Sequence, residues 1–224
     1  MHSRLALAIV AGLLLAACGS SDQTPADQAA SASSSQTRPA PAATNSSAAT
    51  PPAGKERFNS VRLGFRIDYP ASMASQLRFD SKYLANDSWK TYAKPDSTGT
   101  PVLMLTLPGS NDVTAGELRI GISSDKKEIA RCDTPPGNAD KGSIGKTTIN
   151  GTTFASFHAA DAGMSHYLKV HSYRVVHGHY CYAIDLLVTG TNPKVYDPPR
   201  KPPFSNEEAF KQLHEALQGF RFTR

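Results

Sequence analysis

The sequence predicts an α+β domain built mainly on an antiparallel sheet with a few flanking helices. Short stretches that alternate apolar and polar side chains recur between prolines and glycines, which is the period of strands with one buried face. Two tight-turn pairs, Asn150-Gly151 and His177-Gly178, sit between β-rich runs and mark hairpins, which join antiparallel neighbours. One stretch with helical spacing, residues 205–217, follows near the C-terminus. Strands do not alternate regularly with helices, so the pattern is α+β and not a parallel α/β design.

The chain opens with Met1-His2-Ser3-Arg4 and an apolar run over residues 5–17. As a helix this run spans about 20 Å, short of the roughly 30 Å hydrocarbon core, and a basic start with small residues at the end is the layout of a signal peptide. The run ends Leu15-Ala16-Ala17-Cys18-Gly19, which resembles the lipobox of bacterial lipoproteins. That resemblance implies cleavage before Cys18, a diacylglyceryl group on its thiol, and a further acyl chain such as palmitate on the exposed amine. Several acyl chains anchor stably where one is marginal. The residue after the cysteine is Gly19 and not the aspartate that retains such lipoproteins at an inner membrane, so the resemblance implies the outer membrane, with the domain in the periplasm or at the cell surface. The alternative is an ordinary signal peptide followed by a chance cysteine.

Residues 18–57 are the expected lipidated cysteine and linker, because up to about residue 54 the chain is nearly all Ser, Ala, Thr, Pro and Gln. Such a segment buries too little apolar surface to offset its ordering entropy. As a flexible tether it reaches roughly 35 Å, and fully extended on the order of 120 Å. Residues 58–224 then form the expected globular domain, a length that suits a single core. The whole chain carries a net charge of +5, too weak and dispersed to argue for nucleic acid as a partner.

Within the domain, residues 64–70 alternate and stop at Pro70, residues 102–107 form an apolar run bounded by prolines, and residues 118–122 alternate again. Residues 125–131 read as a short helix capped by Asp125. Asn150-Gly151 is the preferred pair for a type I′ turn. Ser205 and Glu208 have capping-box spacing, while Ala209, Phe210, Leu213, Ala216 and Leu217 make one stripe and Gly219 stands where a C-cap is expected. Phe220 and Phe222 alternate as a last strand. The opening Gly-Phe-x-Ile-Asp-Tyr-Pro at residues 64–70, and the closing capped helix followed by Gly219-Phe220-Arg221-Phe222, resemble the PsbP-like family. The resemblance implies an antiparallel sheet flanked by helices and a binding or assembly role without a shared catalytic set. The Pro-rich residues 192–204 depart from it as an insertion.

Three cysteines less the acylated one leave Cys132 and Cys181, which an oxidising exported compartment should join. Closing a loop of roughly 50 residues should stabilise by about 4 kcal/mol at most. His166, His171, His177 and His179 fall close together in sequence, but with His177-Gly178 as the turn only His177 and His179 are near enough to share an ion, and no metal is expected. Tyr173, Tyr180 and Tyr182 share one face, as a stacking platform for a sugar or, more commonly, as core. Residues 192–204 should favour extended polyproline conformation and present Tyr196, Arg200 and Lys201, as a docking surface or as a stiff crossover. Gly142-Ser143-Ile144-Gly145-Lys146-Thr147 imitates a P-loop end but precedes a hairpin and not a helix, and the Ser-x-x-Lys matches lack their companion motifs. No cofactor is expected. The expectation is a membrane-anchored, non-enzymatic binding or assembly protein with an envelope protein or glycan as partner. The alternative is a hydrolase whose residues are scattered along the chain.

Overall fold

The structure, a computed structural model, describes residues 50–223; the signal segment, Cys18 and the chain up to residue 49 lie outside the described residues. Ten strands and two helices are described, and all strand pairs are antiparallel, so the domain is α+β. In a small sheet, β2 (Phe65–Pro70) lies between β1 (Lys55–Ser60) and β10 (Phe220–Phe222). The large sheet runs β3 (Ala74–Gln76), β4 (Thr100–Thr106), β5 (Thr114–Ser123), β9 (Tyr180–Thr191), β8 (His166–His177), β7 (Thr152–Gly163), β6 (Gly145–Ile149). Helix α1 (Lys126–Ala130) follows β5, and α2 (Asn206–Leu217) precedes β10.

Strand pairing starts at Lys55, ahead of the boundary that composition sets at Phe58. Polar side chains hold this start: the Tyr69 hydroxyl donates to Glu56 Oε2 at 3.0 Å, and Arg57 Nε meets Asp68 Oδ1 at 2.5 Å. Their partners Asp68 and Tyr69 lie on the next strand, and composition does not reveal which side chains pair across a hairpin.

The β6–β7 hairpin turns at Asn150-Gly151, with φ of 45° and 81° as a type I′ turn demands. Asn150 Nδ2 also donates to the carbonyls of Gln218 and Phe220, at 2.7 and 2.6 Å, tying this turn to the end of α2 and the start of β10. The β8–β9 hairpin differs from expectation by one residue. His177 pairs with Tyr180, so Gly178-His179 is the turn, and Gly178 takes φ 58° at the first central position, where a type II′ turn needs glycine. His171 therefore lies opposite Leu186 and not Ile184. The shift is two residues on the partner strand, so each side chain keeps its face.

One face of the large sheet carries Leu118, Ile120, Tyr182, Ile184 and Leu186 into the main core, against Phe65 and Ile67 of the small sheet and the buried stripe of α2. Ser205 caps α2 by accepting from the Glu208 N–H at 3.1 Å, whereas Glu208 turns outward to accept from Gln212 and does not complete the box. Ala209, Leu213, Ala216 and Leu217 are buried as the stripe requires, and Leu213→Ala should cost about 2–5 kcal/mol. Gly219 is not a left-handed cap: the C-cap is Gln218 in the right-handed region. A Cβ at Gly219 would lie 1.8 Å from the Asp68 carbonyl oxygen, so glycine is needed there for close approach to β2.

The opposite face carries charge. Glu117, Arg119, Arg174 and Asp185 are all buried on it. Residues 77–99 cover them as a strap without strand or helix. Arg119 donates to the carbonyls of Asn86 and Asp80 in the strap, at 2.7 and 2.8 Å, and pairs with Glu117 at 2.7 Å. Asp185 accepts from the Thr91 N–H at 2.8 Å and the Ser172 hydroxyl at 2.6 Å, and meets Arg174 at 2.8 Å. Trp89 packs with Ala183 and the Cys132–Cys181 disulfide, whose Cα atoms are 5.5 Å apart. A Cβ at Gly121 would lie 1.8 Å from the Trp89 carbonyl oxygen, so the strap lies directly on the sheet backbone there.

Candidate functional site

The side chains that sequence singles out fall at two ends of the large sheet. Tyr196, Arg200 and Lys201 belong to the segment that leaves β9. That segment is a compact loop and not the extended polyproline stretch expected: a 3-10 turn at Pro193–Val195, a cis Asp197-Pro198 peptide and an Arg200 N–H to Pro193 carbonyl bond of 3.2 Å fold it back. Asp112 accepts from the Tyr196 hydroxyl at 2.9 Å and from Arg200 at 2.8 Å, and the Arg200 guanidinium lies 4.3 Å from the Tyr196 ring centroid. The Tyr196 hydroxyl, then Arg200, hold the Asp112 carboxyl below its usual range. Lys201 is exposed beside them. His177 and His179 lie at the other end of the β8–β9 hairpin, roughly 35 Å away along strands of this length. His177 stacks on Phe222 at 3.8 Å, and His179 is exposed in the turn. The two groups do not make one site. Of the tyrosines, Tyr173 and Tyr182 are core side chains, the Tyr182 hydroxyl donating to the Leu63 carbonyl, and Tyr180 packs half-buried against them.

A different histidine group is brought together by the register of β7 and β8. His158 lies opposite His171, and their rings stack at 3.7 Å. The other face of His171 lies on Phe210 of α2 at 3.8 Å, and His214 is 5.2 Å away. His214 Nδ1 donates to the Phe210 carbonyl at 2.7 Å, and its Nε2 shares a hydrogen bond of 2.8 Å with the Tyr173 hydroxyl. His158, His171, Asp140 and Lys169 line a cavity of about 320 Å³. Burial, then the neighbouring His158 and His214, push the His171 pKa down to about 3. Burial and His214 also lower His158, against the pull of Asp140. A base near 3 is too weak to take a proton at neutral pH, so this perturbation works against general-base chemistry. Lone pairs of stacked rings lie in parallel planes and do not meet at one ion. Among the described residues no group of three or more His, Cys, Asp or Glu side chains is placed to hold a metal.

The second cavity, about 190 Å³, opens between the strap, the turn after α1, and the buried face of β7 and β8. Lys90, Lys94, Arg131 and Arg174 line it, with Glu128 as the one carboxylate. Glu128 is buried and holds Lys90 at 2.5 Å and Arg131 at 3.3 Å. Asp125 caps α1, accepting from the N–H groups of Lys127 and Glu128, and thereby sets where Glu128 projects. Tyr92, on the strap wall, has φ 58°, a left-handed conformation that costs a non-glycine residue about 1–2 kcal/mol. The Thr91 N–H to Asp185 bond and the Lys90–Glu128 pair hold the two residues just before it.

Comparison with solved structures finds low similarity. A crystal structure of a Bacteroides thetaiotaomicron protein matches at 12% identity and TM-score 0.44, covering 76% of this chain and 49% of the other, so this chain spans about half that protein's length. The solution structure of cyanobacterial PsbP (CyanoP) from Synechocystis sp. PCC 6803 matches at 8% identity and TM-score 0.40, covering 76% and 93%. No protein-family model and no curated protein sequence matches the chain. Among the described residues no helix is long and apolar enough to cross a membrane.

Sequence reasoning did not single out Lys90, Lys94, Arg131 or Arg174. A signal for the last was present: Arg174 and Asp185 each interrupt an apolar run, between Tyr173 and Val175 and between Ile184 and Leu186. A charge in the middle of a run that reads as buried strand needs a partner.

Proposed function

We propose that the chain is an envelope lipoprotein, held by acyl chains on Cys18 to the outer membrane, whose tethered domain binds a partner and does not catalyse. The observation that carries the anchor is Leu15-Ala16-Ala17-Cys18 behind a short apolar run and a basic start. The Cys132–Cys181 disulfide supports an oxidising, exported setting for the domain. The partner is an envelope protein or glycan, and the Tyr196–Arg200–Asp112 group, with exposed Arg and half-buried Tyr already held in place, is a contact surface of suitable chemistry.

The test is fractionation of cells carrying the native chain or Cys18→Ser, with palmitate labelling. The native chain should take up label and sediment with outer membranes, and the variant should be unlabelled and soluble. A native chain without label, or one that is soluble, overturns the anchor. For the domain, crosslinking in cells should capture a partner that Arg200→Ala and Tyr196→Ala both lose, and retention by both removes that surface.

A further inference from the structure

We infer that the cavity under the strap is a binding site for a phosphate group, either free or at the end of a larger molecule. This rests on reading the domain as a binding domain. Four cationic side chains line the cavity, while Glu128 on its wall and Asp185 behind it are the carboxylates that offset them. Glu128 spends its charge on Lys90 and Arg131. Lys94 has no ion-pair partner among the described residues.

Arg174 is the more telling group. It is 3% exposed, its guanidinium lies 5.4 Å from the Phe157 ring, and it lines the cavity. Only Nη1 is used: it donates to the carbonyls of Tyr173 and Ile184, at 3.0 and 3.3 Å, and meets Asp185 at 2.8 Å. Its Nε and Nη2 donate to no acceptor among the described residues. A guanidinium offers five donors in a fixed fork, and those that Arg174 leaves unmatched within the chain open to the cavity, where an acceptor from outside can reach them.

Size and arrangement narrow the ligand. A volume of 190 Å³ is that of about six waters, below the 300–1,000 Å³ of pockets that enclose drug-sized molecules. It admits an oxyanion group and leaves the rest of a larger ligand outside. Lys94 comes from the strap, Arg131 from the turn after α1, and Arg174 from β8. Donors from three separate elements suit a tetrahedral phosphate better than a planar carboxylate, which one guanidinium satisfies from a single side. Thr134 and Ser97 add hydroxyls to the wall.

The experiment titrates the full-length protein, purified in detergent and phosphate-free buffer, with inorganic phosphate, glycerol 3-phosphate and acetate in turn, by calorimetry. Phosphate or glycerol 3-phosphate should bind saturably, and acetate at least tenfold more weakly. Binding of both phosphates assigns the site to the group itself, and binding of glycerol 3-phosphate alone assigns it to an esterified phosphate. Lys94→Gln and Arg131→Gln should each weaken binding about tenfold or more, as loss of a charge-assisted contact does. Lys94 is exposed and Lys94→Gln should keep the native melting temperature without ligand, which separates lost binding from lost fold. Absence of saturable binding by either phosphate, acetate binding equal to phosphate, or native affinity in both variants overturns the assignment. Failure here leaves membrane labelling at Cys18 untouched, and a soluble Cys18→Ser chain that still binds phosphate separates the site from the anchor.

Discussion

Replacing His171 with phenylalanine should remove an acid sensitivity that the native domain carries between pH 7 and 5. In the native fold the imidazole is clasped between His158 of β7 and Phe210 of α2, with His214 close by. Asp140 and Lys169 are the other charged groups lining that cavity. Its pKa is pushed down to about 3, by burial first and by the two histidines second. The unfolded chain regains the ordinary value near 6.5 and takes up a proton below it, which the folded ring refuses. The stability this group leaves intact above pH 6.5 is therefore lost as pH falls from 6.5 toward 3. At 1.36 kcal/mol per pH unit the full loss at pH 5 is about 2 kcal/mol, and halving it for partial solvent access leaves about 1 kcal/mol. Phenylalanine keeps the stack on Phe210 and cannot titrate. Urea unfolding of both proteins at pH 7, 6 and 5 should show the native domain losing about 1 kcal/mol more than His171→Phe, or roughly 2–4 °C in melting temperature for a domain of this size. Carboxylate titrations shared by the two proteins cancel in the difference. Parallel curves would refute the reasoning, since they would mean the ring is protonated in the fold as readily as out of it.

Three other perturbations test the parts of the fold that hold the site. Asn150→Ala removes the two hydrogen bonds that tie the β6–β7 turn to Gln218 and Phe220, and should cost about 2 kcal/mol in chemical denaturation; a loss under about 0.5 kcal/mol would show that water replaces them. Converting Cys132 and Cys181 together to alanine should cost about 2–4 kcal/mol, read by urea unfolding against the oxidised parent, and an unchanged midpoint would contradict the cross-link. Gly121→Ala places a methyl where the Trp89 carbonyl lies and should lift the strap, shifting Trp89 emission to the red and lowering stability by about 2 kcal/mol; native emission with a native melting temperature would show that the sheet can yield there.

The antiparallel architecture was legible because its signals are local. Asn150-Gly151 fixes a turn by backbone conformation alone, Ser205 caps by reaching three residues ahead, and the stripe from Ala209 to Leu217 follows helical period. The β8–β9 turn was displaced by one residue because His177-Gly178 and Gly178-His179 both contain the needed glycine, and only the pairing of the two strands chooses between them. The strap was not legible. Leu84, Ala85, Trp89 and Tyr92 pack without a period, since each answers to a different point on the sheet face below. The cationic cavity stayed hidden for the same reason: Lys90, Arg131 and Arg174 are far apart in sequence, and carboxylates on other elements draw in Lys90 and Arg174, while Glu128 of the preceding helical turn holds Arg131. The histidine stack depended on β7 lying beside β8, and His158 stands outside the run of histidines that attracts attention.

The charged face beneath the strap bears on how the domain fails when it opens. If residues 77–99 peel away, they uncover Glu117, Arg119, Arg174 and Asp185, which water solvates readily, interspersed with Leu168, Val170, Leu187 and Ala183, and the disulfide still pins the end of α1 to β9. An apolar layer in the same place would present a sticky surface to every neighbouring chain. Here buried charges divide that layer into smaller patches, so an opened strap offers neighbouring chains a less continuous apolar surface than a wholly apolar face would.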